Sequence, residues 1–326
     1  MRIDFHTHFV PPLPDFAQRY GDPRWPTFEI DGQVGRLTRD GVVVRTVPPS
    51  SWHPQSRLAD MEPAGVDMQV LSPLPPLVCD WADPEPASQW CLRLNDGIAH
   101  AVAEMPGRFR GLGTVPLQHP DRAVRVLTRA REAGLSGVEV GTTAGAREFD
   151  HPDLAEFFGA AAELGMLVFV HPLILGAQAG WTARITGQAV TFGLGMTTDT
   201  AIAAAKLVFG GVVPKYPELR ICLSHGGGTF AWALPRIARS WDAQGKRPCA
   251  ELIRNIFVDS VVYSPVNLRY LRDVLGPDRL LFGTDYPLPA QDDLAGGVLK
   301  LLAAPDAELA GGGNAARLLG IADRPT

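Results

Sequence analysis

Five residues carry the chemistry this chain could perform: His6, His8, His171, His225 and Asp285. His6 and His8 lie two apart in Ile3-Asp4-Phe5-His6-Thr7-His8-Phe9, a run that reads as a β-strand. Side chains two apart on a strand point to one face, so both imidazoles can reach a single ion. His171 closes the apolar run Leu167–Val170, His225 follows Ile221–Ser224 and precedes three glycines, and Asp285 ends Leu280–Thr284. Alone, each has an ordinary explanation: a core histidine bonded to a loop, a strand end, a turn or cap aspartate. Together, each closing a separate apolar run, they point to a metal site. His6, His8, His171 and Asp285 make an N3O set suited to one divalent ion, most readily Zn2+, with Mn2+ possible. His225 is then left over. A metal lowers the pKa of its bound water towards about 7, and an imidazole titrates in that range. His225 is therefore the expected acid/base, and Asp285 can share proton handling through its second oxygen.

Such a set needs elements that bring distant residues to one place. Short β-branched runs alternate with alanine- and leucine-rich helical stretches. The strands are expected at 3–9, 68–73, 111–117, 137–141, 167–171, 221–225, 256–260 and 280–285. Helices are expected at 87–104, 121–133, 152–164, 198–209, 230–242 and 265–275. Eight β/α alternations fit an α/β fold of the (β/α)8 TIM-like barrel type, whose sites gather at the C-terminal strand ends. Residues 1–326 thus read as a single metal-dependent barrel domain. Two regions break the rhythm. Residues from about 20 to 56 contain two short hairpin strands, Phe28–Val34 and Gly41–Arg45, as a small β-rich insertion after strand 1. Residues from about 173 to 196, with five glycines, read as a substrate loop.

Composition narrows the partners. A net charge of -5 argues against nucleic acid and against a membrane surface. No stretch reads as a membrane span, and the opening Met-Arg-Ile-Asp shows no apolar leader. The four cysteines, Cys79, Cys91, Cys222 and Cys249, lack metal or redox spacing, so a cytoplasmic location is expected.

Read together, these residues resemble the amidohydrolase superfamily, in the branch of 2-amino-3-carboxymuconate-6-semialdehyde decarboxylase. The resemblance runs from Ile3–His8 through Arg108–Pro116 and Phe169–Pro172 to Ser224–Gly228 and Gly283–Pro287. It implies one divalent ion on His6, His8, His171 and Asp285, with His225 handling the bound water. It also implies that Arg45, with Trp52 nearby, binds a substrate carboxylate. Arg236 would reach a neighbouring subunit's site in a homodimer. Phe192 sits where the branch is expected to carry an active-site tryptophan, so the pocket differs there. Independently of the family, the fourth strand reads Gly137-Val138-Glu139-Val140-Gly141, and all four lysines lie elsewhere. A carbamylated lysine bridging two metals has no residue to form on. Glu139 is expected to support a ligand instead.

The expected activity is metal-dependent, cofactor-free decarboxylation of a small unsaturated or aromatic carboxylic acid, through a metal-activated water and a histidine acid/base. The alternative keeps the site and changes the reaction, to hydrolysis of an amide or lactone or hydration of an enol acid.

Overall fold

The computed structural model describes residues 1–173 and 184–321. Eight strands form a parallel sheet in the order β1 (Ile3–Phe9), β5 (Met68–Pro73), β6 (Phe109–Thr114), β7 (Gly137–Val140), β8 (Leu167–Val170), β9 (Ile221–Leu223), β10 (Ile256–Asp259) and β11 (Leu280–Leu281). The order never doubles back, so the helices between strands all cover one outer face, as a barrel requires. The seam closes by backbone bonds: Phe5 N to Phe282 O at 2.7 Å, Asp285 N to His6 O at 2.9 Å and His8 N to Tyr286 O at 2.7 Å. Phe5, Val70, Leu112, Phe169, Cys222 and Leu281, one from each of six strands or strand ends, fill the barrel interior.

The last strands are shorter than the apolar runs suggest. Ser260 accounts for part of this at β11. Its Oγ donates to Gly283 O at 3.1 Å and accepts from Gly283 N at 3.0 Å, replacing ladder bonds and freeing residues 284–287 to turn inward.

Between β1 and β5 lies a separate antiparallel sheet of β2 (Thr27–Asp31), β3 (Val34–Arg39) and β4 (Val42–Val47). The expected single strand Phe28–Val34 is in fact two, broken at Gly32, whose φ of +60° makes the reversal. Phe16, Trp25, Leu37 and Trp90 bury one side of this insertion. A helix at Pro54–Ala64 was not anticipated, because Pro54 and Pro63 look like breakers. Pro54 occupies the first turn, where its missing N–H costs nothing.

Of the expected substrate loop of 173–196, residues 174–183 lie outside the described residues. What is described differs from a loop: Gln188–Val190 is helical and runs through a wide turn at Thr191–Gly195 into the helix Met196–Phe209. The continuous stretch Gln188–Lys215 is long and apolar enough for a membrane span by composition. Its Ala203, Ala204, Leu207 and Val208 are instead buried in the layer between strands and helices.

Candidate metal centre

β1 is not a regular strand. Its register with β5 shifts between Asp4 and Thr7. Strict alternation would send Phe5 and His6 to opposite faces, yet both meet the interior ring of Phe169, with centroids 5.7 and 5.0 Å away. The irregularity re-aims the strand so that His6 and His8 follow Phe5 into the barrel. His171 follows β8, His225 follows Ser224 at the end of β9, and Asp285 lies on the turn after β11. Thus the structure brings together all five residues singled out from the sequence.

Three imidazoles are held the same way. His6 Nδ1 donates to Asp259 Oδ2 at 2.6 Å, His8 Nδ1 to Pro73 O at 3.1 Å, and His171 Nδ1 to Pro172 O at 2.9 Å. Those partners can only accept, so each Nδ1 carries the hydrogen and each Nε2 presents a lone pair to the centre. His6 Nε2 lies 3.1 Å from His8 Nε2, and Asp285 Oδ1 lies 3.3 and 2.9 Å from those two atoms. Three acceptors at such spacing repel unless a cation or a proton lies among them. His171 Nε2 is buried with no hydrogen-bond partner, the orphan that a metal ion would satisfy. The donor set therefore fits a divalent ion.

Without an ion, a proton takes the cation's place: burial disfavours a charge on His6, but Asp259 and Asp285 outweigh it and push its pKa up to about 10, so an arriving cation displaces the His6 Nε2 proton. His171 goes the other way: burial and the neighbouring imidazoles hold it well below the usual value, so it stays a neutral ligand. Burial works against the Asp285 carboxylate, yet His6 and His8 hold it well below the ordinary carboxylate range.

His225 stands slightly apart. Ligand atoms of His6, His171, His225 and Asp285 lie within 4.8 Å of one another, but His225 Nε2 is 4.0 Å from Asp285 Oδ2 and its side chain retains 10% exposure. Its Nδ1 faces Ser224 Oγ at 3.2 Å. His8 packs closer to Asp285 and has its Nδ1 fixed by a carbonyl, so the ligand role suits His8 and the freer imidazole is His225. A left-handed φ of +54° at His225 turns its backbone so that the N–H groups of His225 and Gly226 both bond Asp259, at 3.0 and 2.9 Å.

Asp259 was missed from the sequence. It holds His6 and the His225 turn together, and its carboxyl is kept below the ordinary value: burial opposes the charge, and His6 overcomes it. The signal was available, since Asp259 ends the seventh apolar run as Asp285 ends the eighth. Glu139 is fully buried beside the site, accepting from Ser72 Oγ at 2.5 Å and lying 3.8 Å from His8 Nδ1.

The residues expected to meet substrate are more scattered. Arg45 is half-buried on β4, its Nη1 donating to Val44 O at 2.8 Å. Burial lowers its pKa, and Asp285 is near enough to oppose that. Phe192 is exposed, its ring 6.3 Å from that of Tyr263, a bulky residue held at a left-handed φ of +55° after β10. Trp52 packs on Phe28 within the insertion, with ring centroids 5.4 Å apart. Arg236 is exposed on the helix Phe230–Asp242 and makes no ion pair among the described residues. A cavity of about 390 Å³ opens beside His225, between Thr197 and Trp232.

The amidohydrolase family model matches residues 3–321. The 2-amino-3-carboxymuconate-6-semialdehyde decarboxylase of Dictyostelium discoideum is 32% identical, over 98% of this chain and 92% of that protein. Among solved structures, the 5-carboxyvanillate decarboxylase of Sphingomonas paucimobilis superposes with a TM-score of 0.81 at 24% identity, over 98% of this chain and 99% of that one. A dihydroxybenzoic acid decarboxylase of Polaromonas, solved with bound manganese, gives 0.77 at 24% identity, over 99% and 98%. The chain described here belongs to the amidohydrolase family.

Proposed function

We propose that this chain is a metal-dependent, cofactor-free decarboxylase of a small unsaturated or aromatic carboxylic acid. The observation that carries this reading is the clustering of the His6, His8 and His171 rings around the Asp285 carboxylate at the strand ends, with His225 alongside. The named decarboxylases among its relatives support the reaction type. His6, His8, His171 and Asp285 would hold the ion, with Zn2+ suited to the N3O set and Mn2+ the alternative. A divalent ion supplies positive charge that polarises a coordinated oxygen and acidifies water.

The protein groups handle orientation and the proton. Arg45 anchors a carboxylate through the guanidinium donors that its bond to Val44 leaves free. Phe192 and Trp52 shape the apolar walls. Decarboxylation breaks one carbon–carbon bond, releases carbon dioxide and requires a proton at the carbon that is left. His225 delivers that proton, with Asp285 Oδ2 positioned 4.0 Å from its Nε2 to share it. The active form is a homodimer in which the partner subunit's Arg236 completes the carboxylate clamp. The exposed Trp232, one turn from Arg236 on the same helix, supports an interface there.

The test is to incubate metal-loaded protein with a panel of aromatic and muconate-type acids without oxygen, NAD or pyridoxal phosphate. One carbon dioxide per substrate consumed is expected. A product that keeps every carbon and gains water would replace this reading with hydrolysis or hydration.

A further inference from the structure

Arg57 is fully buried, and no carboxylate lies within ion-pair distance of it among the described residues. A buried guanidinium is costly, so its hydrogen bonds and packing must repay its presence. It donates to the backbone carbonyl of His8, to Thr7 Oγ1 at 3.1 Å and to Gln69 Oε1 at 3.0 Å. Its guanidinium carbon sits 5.1 Å from the centre of the Tyr286 ring. One turn further along the same helix, Asp60 accepts from the Tyr286 hydroxyl at 2.6 Å. Tyr286 follows Asp285 directly, and its carbonyl accepts from His8 N at 2.7 Å.

The helix Pro54–Ala64 therefore grips two ligand-bearing segments with residues on one face, at i and i+3. One segment is the end of β1, through the His8 carbonyl. The other is the Asp285–Tyr286 turn, through both face and hydroxyl of Tyr286. These segments meet at the seam where β1 and β11 close the barrel, and each carries one member of the tightest ligand pair, His8 Nε2 and Asp285 Oδ1 at 2.9 Å. Neither Arg57 nor Asp60 touches the ligand side chains themselves.

We propose that the helix Pro54–Ala64 is a positioning latch for the metal centre, in which Arg57 and Asp60 set the spacing of His8 against Asp285 through the His8 carbonyl and the Tyr286 ring. Arg57 and Asp60 are positioning residues: they act on the ion's affinity by fixing backbone that a one-ångström slip at the seam would displace. Groups that orient ligands in this way typically alter metal affinity by about 10- to 100-fold when removed.

The inference rests on the metal-centre reading above. The experiment is competition of the full-length wild type, R57M, D60N and Y286F against a chelator for Zn2+, with thermal unfolding of each metal-free protein. Y286F keeps the ring and removes only the hydroxyl, so it reports on the latch even where R57M fails to fold. A control, W90F, removes the bond from Trp90 Nε1 to Leu77 O, which lies in the insertion cluster and contacts no ligand. Zn2+ affinity is expected to fall about 10- to 100-fold in R57M and about 10-fold in Y286F and D60N. W90F should lower the unfolding temperature and leave Zn2+ affinity unchanged. Wild-type affinity in Y286F and D60N would overturn the latch, as would equal weakening in W90F at matched loss of stability. Failure of the wild type itself to bind Zn2+ would instead overturn the reading of the site.

Discussion

At the scale of single residues, the chemistry depends on which nitrogen of each histidine faces inward. Asp259, Pro73 O and Pro172 O pin the three Nδ1 atoms, and that leaves the three Nε2 atoms on the side where a cation would sit beside Asp285. His225 alone has no carbonyl or carboxylate on Nδ1, only the Ser224 hydroxyl, and it keeps some exposure. Those differences are why the proposed mechanism gives His225 the moving proton. His225→Asn should cut kcat by about 10²- to 10⁴-fold, the usual contribution of a positioned acid/base, while metal content stays at wild type. Steady-state kinetics with metal analysis checks this; an unchanged kcat would remove His225 from the chemistry. Arg45→Gln should act differently, because it removes an anchor: a charge-assisted bond is worth about 1.5–3 kcal/mol. KM should rise on the order of 10- to 100-fold, and a change confined to kcat would argue against an anchoring role.

At the scale of elements, most of the barrel was legible because strand runs and strand-end residues obey one simple rule. Ile3–Phe9 and Met68–Pro73 match their apolar runs residue for residue. The irregularity in β1 was not legible, since nothing in Asp4-Phe5-His6-Thr7 marks a register shift; it follows from how β1 pairs with β5. The helix Pro54–Ala64 was hidden for a different reason. Pro54 sits in the first turn, where proline is tolerated, but Pro63 lies inside the helix, one residue from its end, and a segment with two such residues reads as loop. Asp259 could have been found by the rule that found Asp285.

Packing between elements also makes a pH prediction. Thr142, just after β7, donates its hydroxyl to Asp199 on the helix Met196–Phe209. Burial raises the Asp199 pKa above the ordinary carboxylate value, and Thr142 opposes that rise. The folded state then holds more proton than the unfolded one just above the ordinary value, so this group's contribution to stability falls as pH rises through that window. Thr142→Val deepens the fall. The variant should lose about 1 kcal/mol at pH 7 and less at pH 4, measured by denaturant unfolding at both values. An equal loss at both would show that the hydroxyl serves packing alone.

At the scale of the whole molecule, the metal centre ties the fold to its ligand. The proposed ligands come from β1 and from the segments after β8 and β11, which span the sheet from its first strand to its last. An ion held there cross-links the seam and stabilises the folded state by mass action, by about 4 kcal/mol at a thousandfold excess over Kd. Stripping the protein with a chelator should lower the unfolding temperature by roughly 6 °C, with recovery on adding Zn2+ or Mn2+. No shift in calorimetry would mean that the site does not hold metal in the native state. The partner-subunit role proposed for Arg236 belongs to this scale too: its exposed guanidinium has no ion-pair partner among the described residues.

Metal-dependent decarboxylation is decided by measuring carbon dioxide released per substrate consumed, under anaerobic conditions, by protein with and without its divalent ion. One carbon dioxide per substrate is expected with metal bound, with loss of that release on chelation and its return when the ion is restored. Turnover that releases no carbon dioxide, or release that persists unchanged after the metal is removed, would contradict metal-dependent decarboxylation.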